Sequence, residues 1–413
     1  MRHILNPKKR NLILIFLCFF AYTCSYLLKL GYNANIVCFE KEFSISHAEA
    51  GMVTTFFFFA YGSMQILHGI FVKKYPLRYV VPGAIVLGAI LNLLAMTSPS
   101  FAAIKYYWLL DGAILSVLWP SVIRAISENV DNEYRNKAIV IMGLTTATGT
   151  ILVYGMSALF VALGYFRGIF VTGIALGIAI SLLWFFFYPV LKKETPPQEE
   201  KTEKTKGKRN SADFILLVIC FSILCVISTF ARDGISTWFP SILKENFNVS
   251  ESYGILITIL LAVGQFIGSY FAVLFSKIVK DRILLCGIVF SLSALFIGAY
   301  ILFGEAALAL CILFFAFSCL CFSAIVNITT SIVPLEWGKE RNAGFYAALF
   351  NGFCYLGSTI SSYGLGLVAD EFGWKTSTIV IEISLIVAAS IGLLAPLIKI
   401  LTHKKRTSNP LEP

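Results

Sequence analysis

The sequence predicts an all-α membrane protein, with twelve transmembrane helices in two pseudo-symmetric six-helix bundles. Three observations predict it. Hydrophobic residues make up 58% of the 413-residue chain and charged residues only 14%, where soluble domains carry about a quarter charged. The apolar residues come in blocks long enough to cross a bilayer core, which takes about 20 residues at 1.5 Å rise. The two halves of the chain also repeat one another in where they place basic residues.

The blocks lie near 11–37, 50–72, 79–98, 102–125, 138–163 and 167–190 in the first half. In the second they lie near 213–243, 252–275, 283–303, 306–334, 342–369 and 375–399. The first block follows a basic start and resembles a signal peptide. It continues past Phe39 without a small-residue cleavage site, so it reads as a retained span. Glycine-bearing faces in the eighth and eleventh blocks, "GILITILLAVGQFIGSYF" and "GFYAALFNGFCYLG", suit close packing of helices through small residues.

Between the sixth and seventh blocks stands the long polar segment "KKETPPQEEKTEKTKGKRNSAD". It is rich in charge, Pro and Thr and has no apolar period, as expected of a flexible linker. The expected organisation is therefore a first bundle over 1–191, a cytoplasmic linker over 192–212 and a second bundle over 213–413. The halves echo one another across it. "KLGYNANIVCFEKEF" from Lys29 parallels "RDGISTWFPSILKENF" from Arg232, with Gly31 opposite Gly234 and Lys41 opposite Lys244. Further on, Arg135 falls opposite Arg341. Such repeats build several secondary transporters, with substrate held near mid-membrane.

The net charge of +10 is a topology signal, not a mark of nucleic-acid binding. With the N-terminus inside and twelve alternating spans, 25 of the 33 Lys and Arg residues fall on the cytoplasmic side and five in the outer loops. The positive-inside rule then places both termini in the cytoplasm of a multi-pass protein of the cell membrane. Nine of the ten cysteines sit within spans and read as small buried hydrophobes; the tenth, Cys38, has no evident partner. Neither a disulfide nor a metal site is expected, and no cofactor. No GxxxxGK[ST], HExxH or GxSxG motif occurs, so transport would run on a gradient or by exchange rather than on nucleotide or enzymatic chemistry.

A charged side chain at the bilayer centre costs about 2.5–3.5 kcal/mol on insertion scales. Lys29 and Arg232 stand at matched positions in the first span of each half, so a water-filled cavity holding an anionic ligand is expected. The competing reading is a pair of ion bridges to Asp111, Asp233 or Glu382. Asp233, adjacent to Arg232, points about 100° away on a helix and is not expected to pair with it. Helical spacing places Tyr22, Tyr26, Lys29 and Asn33 on one stripe, offering hydroxyl and amide groups beside an ammonium; the tyrosines could also be packing residues.

The segments "YTCSYLLKLGYNANI", "LWPSVIR", "ARDGISTWFPSILKE" and "LFNGFCYLGSTISS" resemble the organophosphate:phosphate antiporters of the major facilitator superfamily, which include glycerol-3-phosphate and hexose-phosphate transporters. The resemblance runs through nearly all the spans. Its most specific part is Arg-x-Gly followed by Trp-x-Pro-x-x-Leu-Lys-Glu. It implies that Lys29 and Arg232 hold the substrate phosphate, with Tyr22, Tyr26, Tyr355 and Trp119 near it. It also implies rocker-switch exchange of a sugar or glycerol phosphate for phosphate, by a protein that works as a monomer with a small anion and the bilayer as its partners.

The departures bear on the ligand. Lysine stands at 29 where the family has arginine, giving a point charge in place of a planar fork. Gln65 and Thr148 stand where glycerol-phosphate members have lysine and histidine. A monoanion such as a carboxylate or sugar acid therefore competes with a dianionic phosphate. The loop after the second span reads "GIFVKKYPLR", with Lys73 where the superfamily has an aspartate, so its ionic lock is expected to be absent or rewired; His68 beside it reads as a packed residue. Asp111, deep in the fourth span, is a counter-ion to a cavity cation or a proton carrier, and Glu382 raises the same question. The rivals are thus a proton-coupled sugar-acid or carboxylate symporter and a membrane sensor of phosphate esters that transports nothing.

Overall fold

The computed structural model describes residues 6–193, 212–337 and 343–408. Most of the expected linker, 194–211, and Arg341 lie outside them. Every regular element among the described residues is a helix. In the first half these are α1 (Pro7–Ala34), α2 (Ile36–Phe43), α3 (His47–Phe71), α4 (Leu77–Thr97), α5 (Phe101–Leu115), α6 (Leu118–Asn129), α7 (Asn132–Gly143), α8 (Thr145–Ala162) and α9 (Gly168–Leu191). In the second half they are α10 (Ala212–Phe247), α11 (Glu251–Ile257), α12 (Ile259–Ile278), α13 (Arg282–Phe303), α14 (Leu308–Asn327), α15 (Val333–Trp337) and α16 (Ala343–Ser408).

Among the described residues, eleven helical runs are long and apolar enough to cross a membrane, and the last, Phe345–Leu394, has 50 residues. It contains two of the expected spans. Gly373 stands between them with φ 78° and ψ 168°, a backbone conformation that glycine adopts without a side-chain clash. The break turns that run into the eleventh and twelfth spans.

Local chemistry sets several of the other ends. Asn6 accepts the Lys8 amide and Pro7 occupies the first turn of α1, where its missing N–H costs nothing. Ser46 and Glu49 form a capping box at the start of α3. The fourth span divides into α5 and α6 at Ser116–Val117, just before Pro120, and Ser116 Oγ donates to the Ala113 carbonyl at 2.7 Å.

The described chain groups into two compact units. The first holds 6–193 with 237–262 and 359–370; the second holds 212–236, 263–337, 343–358 and 371–408. In the first, α1 packs on α8 and α9, and α3 on α5. Gly149 of α8 lies against α1 so closely that a Cβ there would meet the Tyr26 Cβ at 2.6 Å. In the second, Gly264 of α12 lies where a Cβ would be 2.7 Å from the Ala316 carbonyl of α14. This is the small-residue packing expected of the eighth span. Asn327 Nδ2 donates to the Ser269 carbonyl at 2.7 Å across the same pair of helices. A π-helical turn, Ile328–Ile332, follows α14.

Candidate functional site

The polar stripe of the first span holds together in the first unit. Lys29 is buried at 6% exposure. Its Nζ lies 4.5 Å from the Tyr22 ring centroid and 4.4 Å from that of Tyr26. A third tyrosine, Tyr61 of α3, completes the cage at 5.0 Å, with its hydroxyl 3.4 Å from Nζ. Aromatic faces attract a cation through their negative quadrupole, most strongly where water is excluded. Beyond the Tyr61 hydroxyl, ring faces give its N–H groups no oxygen acceptor. Lys29 forms no ion pair among the described residues, and Asp111 is within electrostatic reach without touching it.

The walls of the cage are fixed by their own partners. Tyr22 packs on Trp119 of α6 with ring centroids 4.7 Å apart. Tyr26 meets Tyr22 edge-on at 5.6 Å, and its hydroxyl pairs with Thr146 Oγ1 at 2.8 Å. Tyr61 stacks on Phe57 at 5.6 Å. Asn33, one turn beyond Lys29, donates to Thr237 Oγ1 and accepts from Thr54 Oγ1, each at 3.3 Å. Four of the sequence-derived residues, Tyr22, Tyr26, Lys29 and Trp119, therefore meet at one place. Asn33 shares α1 with the first three but is engaged with threonines. Tyr61 was missed by sequence reasoning. Its signal was a tyrosine in "FFFFAYGSMQ", in the middle of the second span.

In the second unit Arg232 is not without a counter-charge. Its Nε lies 2.6 Å from Asp233 Oδ1 and its Nη2 3.2 Å from Oδ2. This corrects the expectation that Asp233 points away. The backbone directions do diverge, but the arginine is long enough to fold its planar fork onto its neighbour. Ser358 of α16 donates to the same carboxylate. Ser236 Oγ donates to the Arg232 carbonyl at 2.8 Å, and Gln265 Nε2 to Ser236 Oγ at 2.9 Å. Tyr355, half-buried, is within electrostatic reach of Arg232.

Asp111 is fully buried in α5. It accepts from Asn92 Nδ2 at 3.4 Å through Oδ2, while Oδ1 has no hydrogen-bond partner among the described residues. Glu382 likewise has one buried oxygen, Oε2, without a partner. Neither forms an ion pair among the described residues.

The loop after the second span is rewired. Lys73 is exposed. Arg124 of α6 takes over the tie, donating through Nη1 to the Val72 and Tyr75 carbonyls, the latter at 2.9 Å, while its Nε holds Glu128 at 2.5 Å. Backbone oxygens thus do the accepting here. His68 packs against Tyr75, ring nitrogen to hydroxyl, at 2.9 Å.

Comparison with known proteins agrees with this architecture. The family model of the Major Facilitator Superfamily matches residues 15–362 and 221–413. A glucose-6-phosphate exchanger of Xenopus tropicalis is 28% identical over 185 residues, covering 40% of this chain and 36% of the relative; the match thus spans little over a third of that exchanger. The membrane sensor protein UhpC of Salmonella typhimurium is 22% identical, covering 91% of this chain and 89% of its own. A probable hexose phosphate transport protein of Chlamydia muridarum is 20% identical over 86% and 84%. Among solved structures, a bacterial homologue of the human lysosomal transporter Spinster superposes with TM-score 0.75 at 14% identity, covering 92% of this chain and 96% of that one.

Proposed function

The chain belongs to the Major Facilitator Superfamily, and on that premise we propose that it is a secondary transporter of a small organic phosphate, a sugar or glycerol phosphate exchanged for phosphate by alternating access. The observation that carries this reading is Lys29: a buried ammonium ringed by three aromatic faces, with one hydroxyl at 3.4 Å and, among the described residues, no carboxylate in contact. A buried cation left so short of acceptors is matched by an anion arriving from solution. Tyr22, Tyr26 and Trp119 supply rings and hydroxyls beside it, suited to the hydroxylated body of a sugar. Arg232 and Tyr355 are proposed as further contacts, with Asp233 giving up its hold on Arg232 when the anion binds. The names of the relatives, a glucose-6-phosphate exchanger and a hexose phosphate transport protein, support the substrate class. The positive-inside count supports a cell-membrane protein with both termini in the cytoplasm.

The test is counterflow in proteoliposomes loaded with phosphate. Labelled glucose 6-phosphate is expected to enter against internal phosphate, and Lys29→Ala is expected to abolish entry. Binding without entry would instead favour a sensor, the activity named for the UhpC relative. A second reading, proton-coupled uptake of an organic monoanion, is favoured by Asp111, whose buried carboxyl has an oxygen without a partner. Uptake driven by an imposed pH gradient, without internal phosphate, separates it from exchange.

A further inference from the structure

One histidine in the first unit stands between two carboxylates. His47 opens α3. Its Nδ1 lies 2.8 Å from Glu40 Oε1 of α2, and its Nε2 lies 3.0 Å from Glu245 Oε1 near the end of α10. An ionised carboxylate only accepts hydrogen bonds, and a neutral imidazole has one donor nitrogen and one acceptor nitrogen. Both contacts are hydrogen bonds only when a hydrogen stands on each ring nitrogen.

Charged groups of both signs stand on the neighbouring segments. Asp370 of α16 accepts from the backbone amides of His47 at 2.8 Å and Ala48 at 2.7 Å. Glu49 of α3 belongs to the capping box with Ser46. Lys244 of α10, within electrostatic reach of Glu40, and Lys41 of α2 are both bound to Glu251 Oε1, at 3.1 and 3.2 Å. The Trp238 ring packs edge-on to His47 at 5.6 Å. Water reaches the group from one side: Glu245 is 46% exposed, against 18% for His47 and 11% for Glu40.

We propose that His47, Glu40 and Glu245 form a proton-held latch, in which an imidazolium ties the α2–α3 corner to the end of α10 and must lose its proton for the tie to release. When the proton leaves, one ring nitrogen turns a lone pair toward a carboxylate and that contact becomes repulsive. The tie therefore loosens as pH rises, by up to about tenfold in the open-to-closed ratio per pH unit for one proton released. By the positive-inside count this corner faces outward, so external acidity would hold that face shut. This last step rests on the transport reading; the proton itself does not.

The chain has four histidines, which makes the ring directly observable. Full-length protein labelled with 15N-histidine is placed in lipid nanodiscs, and the resonance lost in His47→Gln assigns the site. At pH 7.5, where a free imidazole is about one-tenth protonated, His47 is expected to show two protonated nitrogens, and in Glu245→Gln to revert to ordinary titration. A neutral His47 ring at pH 7.5 in the wild type overturns the proposal. Hydrogen exchange over 241–248, corrected for its intrinsic pH dependence, gives a second readout. It is expected to rise between pH 6.5 and 8.5 in the wild type and to be flat in His47→Gln; a flat wild-type profile also overturns the latch. A protein that keeps the imidazolium but carries no organophosphate sinks the transport reading alone.

Discussion

Arg232 and Asp233, neighbours in the chain, form a two-point ion pair, Nε to Oδ1 at 2.6 Å and Nη2 to Oδ2 at 3.2 Å. The cation of the second half is thus compensated inside its own helix, whereas Lys29, its sequence counterpart in the first, is surrounded by aromatic rings. The repeat places a charge at each position; the neighbours decide what that charge has to face.

Asp233→Ala leaves Arg232 without its counter-charge. Breaking a buried pair from one side costs about 3–5 kcal/mol. The side chains here are 22% and 18% exposed, so the lower end is expected. The double variant Arg232→Ala/Asp233→Ala should recover much of that loss, because no lone charge remains. Thermal melting of both in detergent checks this; equal melting temperatures would show that the pair adds nothing.

Lys29→Ala is expected to insert and fold, since it removes a charge from a buried site. The rise in melting temperature that glucose 6-phosphate gives the wild type should be absent, because that rise measures ligand bound to the folded state. Lys29→Arg should keep it, the guanidinium stacking on the same rings and gripping a phosphate through two N–H groups. A wild-type shift in Lys29→Ala would remove Lys29 from the site.

What was legible in the sequence follows from range. Spans are local, so hydropathy located them, and the break at Gly373 falls between the last two expected blocks. Tyr22, Tyr26 and Lys29 share one helix, so helical spacing grouped them. Tyr61 comes from another helix and enters the cage only through packing. The Arg232–Asp233 pair was missed because helical spacing describes Cβ directions, while a long side chain can turn back. His47 finds one carboxylate seven residues away and the other far along the chain on α10, a meeting that no periodicity encodes.

Elsewhere in the first unit, Asp131 collects Asn11 Nδ2 at 2.6 Å, Lys193 Nζ at 2.8 Å and Arg10 Nη2 at 3.4 Å. The Asn11 hydrogen bond, then the Lys193 contact, hold its carboxyl below the usual carboxylate range. A depressed carboxylate stabilises the fold above its unfolded value, about 3.9, and that contribution fades as pH falls through the lower folded value. Asp131→Asn should therefore melt below the wild type at pH 7, by a small margin because the carboxylate is 37% exposed. The gap should close below about pH 4. A gap unchanged between pH 7 and pH 3 would rule out the charge as its source.

Asp111→Asn decides what the buried acid of the fourth span is for. No ion pair to Asp111 forms among the described residues, and Lys29 is only within electrostatic reach. Among the described residues the site lacks a donor: Asp111 Oδ1 and Asn92 Oδ1 are both buried without a hydrogen-bond partner there. A neutral carboxylic acid supplies that hydrogen. An asparagine at 111 supplies one too, in nearly the same shape, so the variant is expected to melt within about 1 kcal/mol of the wild type and to keep exchange of labelled for unlabelled substrate. Pairing that assay with accumulation under an imposed pH gradient then reads the coupling. Accumulation present in the wild type and lost in the variant would place the transported proton on Asp111 and make the carrier proton-driven. Accumulation absent from both would leave the acid a structural hydrogen-bond donor in a phosphate exchanger. Loss of melting stability together with exchange would show that Asp111 is charged in the folded protein, against the geometry described above.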